Sequence, residues 1–162
     1  MTQGTTSFTA VITLPKPNQI LITREFAAPA ANVFRAITTP ELISQWWSGD
    51  RGTVTHVDVD LRVGGAWRNV MLAHDEFEVA FHGEYRELVP NERIVSTEVY
   101  EGVPDETALN TITLTEHDGR TTMSVLCEYS SEQVRDAVIE SGMEGGMQEA
   151  YNHLEQVAAA LS

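Results

Sequence analysis

Few residue patterns in this chain could do chemistry, and the best of them lie on strands. Between Ala66 and Glu101 three runs alternate with a period of two. That alternation sets Trp67, Asn69 and Met71, then Val79, Phe81, Gly83 and Tyr85, then Ile94, Ser96, Glu98 and Tyr100 on faces that should turn inward. Most of these are ordinary core residues. Asn69, Ser96 and Glu98 are not, because a buried amide, hydroxyl or carboxylate needs a partner, which a ligand or an ordered water can supply. Glu98 with Tyr100 beside it would lead any acid–base chemistry there, and burial would raise the Glu98 pKa. A single bulge would reverse part of this parity and turn Asn69 or Glu98 to solvent.

Other chemistry-bearing types are scattered. His56, Asp58 and Asp60 share a strand face, but it lies opposite Val57 and Val59 and reads as solvated, so no metal site is expected. His74, His82, His117 and His153 form no set, and His82 should point outward opposite Phe81. Cys127 alternates with Met123, Val125 and Tyr129 and reads as buried and unreactive. No H-E-x-x-H, G-x-S-x-G or G-x-x-x-x-G-K pattern occurs, so no catalytic residue and no cofactor is expected.

The element that must position the strand residues is C-terminal. Met143, Met147, Ala150, Leu154, Val157 and Leu161 recur at steps of four and three, one apolar stripe on a helix spanning 131–161. Ser130 and Ser131 are its N-cap candidates. Gly142, Gly145 and Gly146 lie inside it at roughly 1 kcal/mol each, which predicts a kink, a break or a close approach. Met143 and Met147 beside them suit either ordinary core or an adaptable pocket wall.

Upstream, residues 1–18 are rich in Thr and Ser with Pro15 and Pro17, and read as a flexible extension before a single domain over 19–162. Gln19 to Phe26 alternates as a strand. Pro29 opens one short helix, and Pro40 to Trp47 forms a second that ends in Trp46-Trp47. Six strands follow: Thr53–Leu61, Ala66–Leu72, Phe77–Val89, Arg93–Glu101, Thr107–Glu116 and Thr121–Tyr129, the last two joined at Asp118-Gly119.

With 24 acidic and 10 basic residues the formal charge is −14, which disfavours nucleic acid and anionic membrane surfaces as partners. One cysteine, no signal-like start and no apolar run of membrane length point to a cytoplasmic chain. A homodimer is the expected oligomer on frequency alone.

The ordered series Arg24-x-Phe26-x-Ala28-Pro29, Val33-Phe34-x-Ala36-x-Thr38, Pro40-Glu41-Leu42, Trp46-Trp47, Asp60-x-Arg62-x-Gly64-Gly65, Gly83-Glu84-Tyr85-Arg86-Glu87, Pro90-x-Glu92-Arg93 and Gly142-Met143-x-x-Gly146 resembles the Hsp90-ATPase-activator-homologue (AHSA1-like) group of the START-like, Bet v 1-like (SRPBCC) superfamily. The resemblance implies an α+β helix-grip fold, with an antiparallel sheet of about seven strands bent around the long C-terminal helix and two short helices closing one end. It also implies a hydrophobic cavity between sheet and helix. Members bind small apolar molecules, some act as polyketide-cyclase-like enzymes, and others are stress-related, co-chaperone-like interaction modules. An Hsp90-type chaperone is a partner that the resemblance brings in, but only eighteen residues precede the first strand, where the eukaryotic co-chaperones carry a further domain. The expected activity is therefore binding of a small, mostly apolar ligand rather than catalysis. The expected cavity of about 300–1,000 Å³ is lined by Trp67, Met71, Phe81, Tyr85, Met143 and Met147, with Asn69, Glu98 and Tyr100 as polar contacts and Trp46 at the entrance, or Trp47 if the second short helix is rotated.

Overall fold

The computed structural model describes residues 8–74 and 76–161. Alternation along the chain becomes eight strands: β1 (Val11–Thr13), β2 (Gln19–Phe26), β3 (Gly52–Val59), β4 (Ala66–Ala73), β5 (Glu78–Val89), β6 (Arg93–Tyr100), β7 (Thr107–His117) and β8 (Arg120–Glu128). They form one antiparallel sheet in the order β1-β2-β8-β7-β6-β5-β4-β3. Two short helices, α1 (Ala30–Thr38) and α2 (Pro40–Ile43), separate β2 from β3.

One expectation needs correction. The stretch read as a flexible extension contributes an eighth strand. Val11 pairs with Thr23 and Thr13 with Leu21, and the Gln148 side-chain amide bonds both backbone groups of Ala10, at 3.0 and 2.9 Å. A three-residue strand between Thr and Pro residues is too short for alternation to reveal. Residues 1–7 of that stretch lie outside the described residues. The C-terminal helix breaks in two, one of the outcomes its glycines predict: α3 (Glu132–Glu140) and α4 (Met143–Ala160). Gly142 breaks it in the left-handed conformation, φ 85°, which glycine adopts without a Cβ clash. Ser131 does cap the first piece, its Oγ accepting from Val134 N–H at 3.2 Å.

The apolar core is lopsided. Ile20, Phe26, Val33, Leu154 and Ala158 are fully buried where α1 and α4 pack on β2, β7 and β8. The rest of the sheet, β3 to β6, lies beyond this core. There the segment after α2 turns back across the helix, with Gly49 close against Glu149 and Ala150 and Arg51 paired with Glu149 at 3.1 Å. His153 and His74 hold the same segment through Asp50. On the outer face, Arg68 and His82 both bind Glu101, at 2.8 and 2.9 Å, and together hold its carboxyl down at about 2. His56, Asp58 and Asp60 are exposed, as their parity predicts.

Candidate functional site: the concave face of strands four to seven

Register puts the sequence-predicted residues into cross-strand rows on the concave face. Asn69 pairs with Phe81, which pairs with Tyr100; Trp67 pairs with Gly83. The flanking pairs His82–Val99 and Tyr85–Ser96 place Gly83 opposite Glu98, and Glu98 pairs with Ala108. Tyr85, Ser96, Asn110 and Cys127 form the next row. The parity survives because the two register shifts, at Val54/His56 and Tyr85/Glu87, fall outside the stretch that carries these side chains.

Gly83 shapes the centre. A Cβ there would collide with the Thr97 carbonyl oxygen and come within 2.6 Å of Trp67 Nε1. The missing side chain lets the Trp67 indole lie across β5 toward Glu98. Gly83 and Ala108, the two smallest side chains available, flank Glu98, so its carboxyl stands in a depression.

Polar satisfaction is poor on this face and good elsewhere. Four buried side-chain atoms among the described residues have no hydrogen-bond partner, and three of them, Trp67 Nε1, Asn69 Oδ1 and Asn110 Oδ1, belong here. Asn69 is 8% exposed. The fourth, Arg24 Nε, belongs to a guanidinium otherwise held by Glu155 at 2.7 Å and Asn152 at 3.0 Å against the Phe26 ring.

Glu98 is half-buried and makes no ion pair among the described residues. Burial raises its pKa, and the neighbouring Asn110 side chain offsets part of that rise. Cys127, Tyr129 and Tyr151 sense the Glu98 charge and share its surroundings. Burial pushes the Cys127 thiol up to about 12 and both phenols well above their ordinary value. Burial likewise raises Tyr85 to about 12.

Trp67, Asn69, Met71, Phe81, Tyr85 and Glu98 share the concave face; Met143 and Met147 sit half-buried on α4 against the edge of the core. Tyr100 is more open than expected, 42% exposed, with its ring 5.1 Å from Phe81. Trp46 is not at the entrance. Its Nε1–H donates to Ala36 O at 2.9 Å and it packs on the core. Trp47 takes that place, edge-on to Phe81 with ring centroids 5.8 Å apart. The short α2 ends at Ile43 and the turns after it swing the second tryptophan toward the sheet. Nor is the space an enclosed cavity. Surface cavities of about 560 Å³, beside Ala30, Arg93 and Glu116, and about 260 Å³, beside Leu42 and Val157, lie elsewhere; the predicted site is a face of the sheet that is only partly covered, with Asn69 and Tyr85 buried and Tyr100 exposed.

Asn110, Tyr129 and Tyr151 were missed by sequence reasoning. Carrying the inward parity into β7 finds Asn110 between Ala108 and Ile112. Tyr151 lies four residues after Met147, one place off the stripe that was followed.

A curved antiparallel sheet gripping a C-terminal helix, with two short helices after β2, is the helix-grip, SRPBCC/Bet v 1-like arrangement. Solved structures agree: a Rhodobacter sphaeroides protein is 27% identical, covers 94% of this chain and 99% of its own, and superposes with a TM-score of 0.87. A Chromobacterium violaceum protein is 30% identical over 88% of this chain and 98% of its own, with a TM-score of 0.77. DynU16, a protein of the dynemicin biosynthetic locus, is 18% identical over 88% of this chain and 48% of its own, with a TM-score of 0.68, a likeness of fold alone. Residues 27–159 match the activator of Hsp90 ATPase homolog 1-like family (AHSA1), and the chain belongs to it. No curated protein matches. No helix among the described residues is long and apolar enough to cross a membrane.

Proposed function

We propose that the protein binds a small, mostly apolar molecule with one or two polar groups on the concave face of β4 to β7, beneath Trp47 and beside the N-terminal half of α4. The observation that carries this reading is the clustering of Trp67 Nε1, Asn69 Oδ1 and Asn110 Oδ1, buried and unpartnered on one face. An unsatisfied buried group costs about 1–3 kcal/mol, so three on one face mark a surface built to be completed by something else. Aromatic rings with a few convergent polar atoms are what small-molecule sites commonly present. Gly146 adds support: nothing lies within 4 Å of where its Cβ would be, although Met143, Met147 and Ala150 around it turn toward the core.

Binding is favoured over acid–base catalysis by the titrating groups. Burial raises the Glu98 pKa, and Cys127, Tyr129, Tyr151 and Tyr85 are all driven toward their neutral forms, which leaves Glu98 without a titrating partner among these groups. The interaction-module reading rests on the family's name alone.

The test is titration of N-phenyl-1-naphthylamine, a neutral apolar fluorophore, into wild type, Gly146→Leu and Met147→Trp. The expected result is an affinity at least about tenfold lower in both filled variants, the scale of losing one well-packed contact. Unchanged binding in both would overturn the site.

A further inference from the structure

The electrostatics of the cleft specify more than its apolar character. From this geometry we infer that the ligand is a cationic amine on an apolar or aromatic body, its ammonium group held by Glu98 within the aromatic walls of Trp67, Phe81 and Tyr100. This rests on the binding reading above and adds the chemical class.

The donor and acceptor inventory is unbalanced. The unpartnered acceptors are Asn69 Oδ1 and Asn110 Oδ1, and beside them stands the Glu98 carboxyl, with Trp67 Nε1–H as the one free buried donor. The concave positions of β4 to β7 carry no Lys, Arg or His. The nearest inward cation along the sheet, Arg24 on β2, is committed to Glu155 and Asn152. A carboxyl in a depression with no cation is costly to ionise, and an incoming ammonium supplies the missing partner. It would also meet aromatic π-faces, which attract cations. To a carboxylate or phosphate that inventory offers one neutral N–H, from Trp67, and no cation. A formal charge of −14 further raises the local concentration of cations and lowers that of anions.

The protonation state follows from the same arrangement. Ammonium binding needs the Glu98 carboxylate, so affinity should fall as pH drops through the raised Glu98 pKa. The other titratable groups facing Glu98 are Cys127 on β8, Tyr129 just after it and Tyr151 on α4, with Tyr85 on neighbouring β5 and Tyr100 two residues further along β6. None of those with a resolved shift titrates below neutrality. On the covering segment and α4, Asp50 is paired with His153 and Arg51 with Glu149.

Three probes that differ only in the polar group test the inference: 1-naphthylmethylamine, 1-naphthylmethanol and 1-naphthoic acid. Each is titrated calorimetrically into the protein at neutral pH. The amine should bind at least about tenfold tighter than the alcohol, as expected for a charge-assisted contact, and the acid weakest. In Glu98→Gln the amine's advantage should shrink to within about threefold, one small fraction of that contact. Wild type keeps the question decidable if that variant does not fold: as pH is lowered from 8 and Glu98 takes up its proton, the amine should lose affinity while the alcohol does not. An alcohol or acid binding as tightly as the amine would overturn the cationic class and leave the cleft intact. So would an amine preference undiminished in a folded Glu98→Gln. Absence of binding by all three would overturn the cleft itself.

Discussion

One chemical change, glycine to alanine, should have opposite effects at two positions and a third effect at another, and the differences follow from what the new methyl group meets. At Gly83 it would overlap the Thr97 backbone carbonyl and crowd Trp67 Nε1 at 2.6 Å. Backbone cannot rotate out of the way as a side chain can, so the cost belongs at the top of the usual overpacking range, about 3 kcal/mol. At Gly146 nothing lies within 4 Å and the residue is inside α4, so alanine should stabilise by about 1 kcal/mol through helix propensity. At Gly142 nothing lies within 4 Å either, but φ is +85°, and alanine should cost about 1–2 kcal/mol in backbone strain alone. Urea denaturation followed by far-UV circular dichroism reads all three. With a slope of about 1–3 kcal/mol per molar, the Gly83 variant should lose about 1–3 M of midpoint, while the Gly146 variant gains. Gly83→Ala as stable as wild type would refute the close approach of β5, β6 and Trp67. A destabilised Gly146→Ala would refute the open space beside α4.

Leu154 is fully buried at the centre of the core, and Leu154→Ala should cost about 2–5 kcal/mol by the same denaturation assay. Glu98→Gln should stabilise the free protein at pH 8. Its raised folded pKa means that ionisation opposes folding above that pKa, and the penalty fades as pH falls toward the unfolded carboxylate value of about 4.3; a gain persisting at pH 4 would contradict this. Glu101 has the reverse sign. Its folded pKa of about 2 lies below the unfolded value, so its ties to Arg68 and His82 contribute stability above about pH 4.3 that is lost as pH falls from there toward 2. Arg68→Met should therefore flatten the acid limb of the stability curve, by a modest amount because the pair is solvent-screened.

The sheet and the side chains it turns inward were legible in the sequence because period-two alternation is a local signal that no bulge interrupts between Trp67 and Tyr85 or along β6. The stripe through Ala150 and Leu154 was legible for the equivalent reason on α4, although in the last turns the buried residue is Ala158 rather than Val157. Three things were not. Gly142 signalled irregularity, but whether a glycine kinks a helix or ends it depends on its φ, which sequence does not carry. The choice between Trp46 and Trp47 turns on how the chain leaves α2, and that is fixed by distant partners: Ala36 for one ring, Phe81 for the other. How far the concave face is covered follows from where α4 lies across the sheet, over β2 rather than β5, and both placements satisfy the same apolar stripe.

The most direct test of the central claim is a ¹H–¹⁵N correlation spectrum recorded while 1-naphthylmethylamine is titrated into the protein. The three tryptophan indoles provide built-in reporters. The Trp67 Nε1–H resonance should move most, with the Asn69 and Asn110 side-chain amides and the Gly83 and Gly146 backbone amides. The Trp46 Nε1–H, already bonded to Ala36 O, should stay in place. Shifts confined to residues around Ala30 and Glu116, or a Trp67 indole that does not respond at saturating probe, would contradict the assignment of the concave face as the binding site.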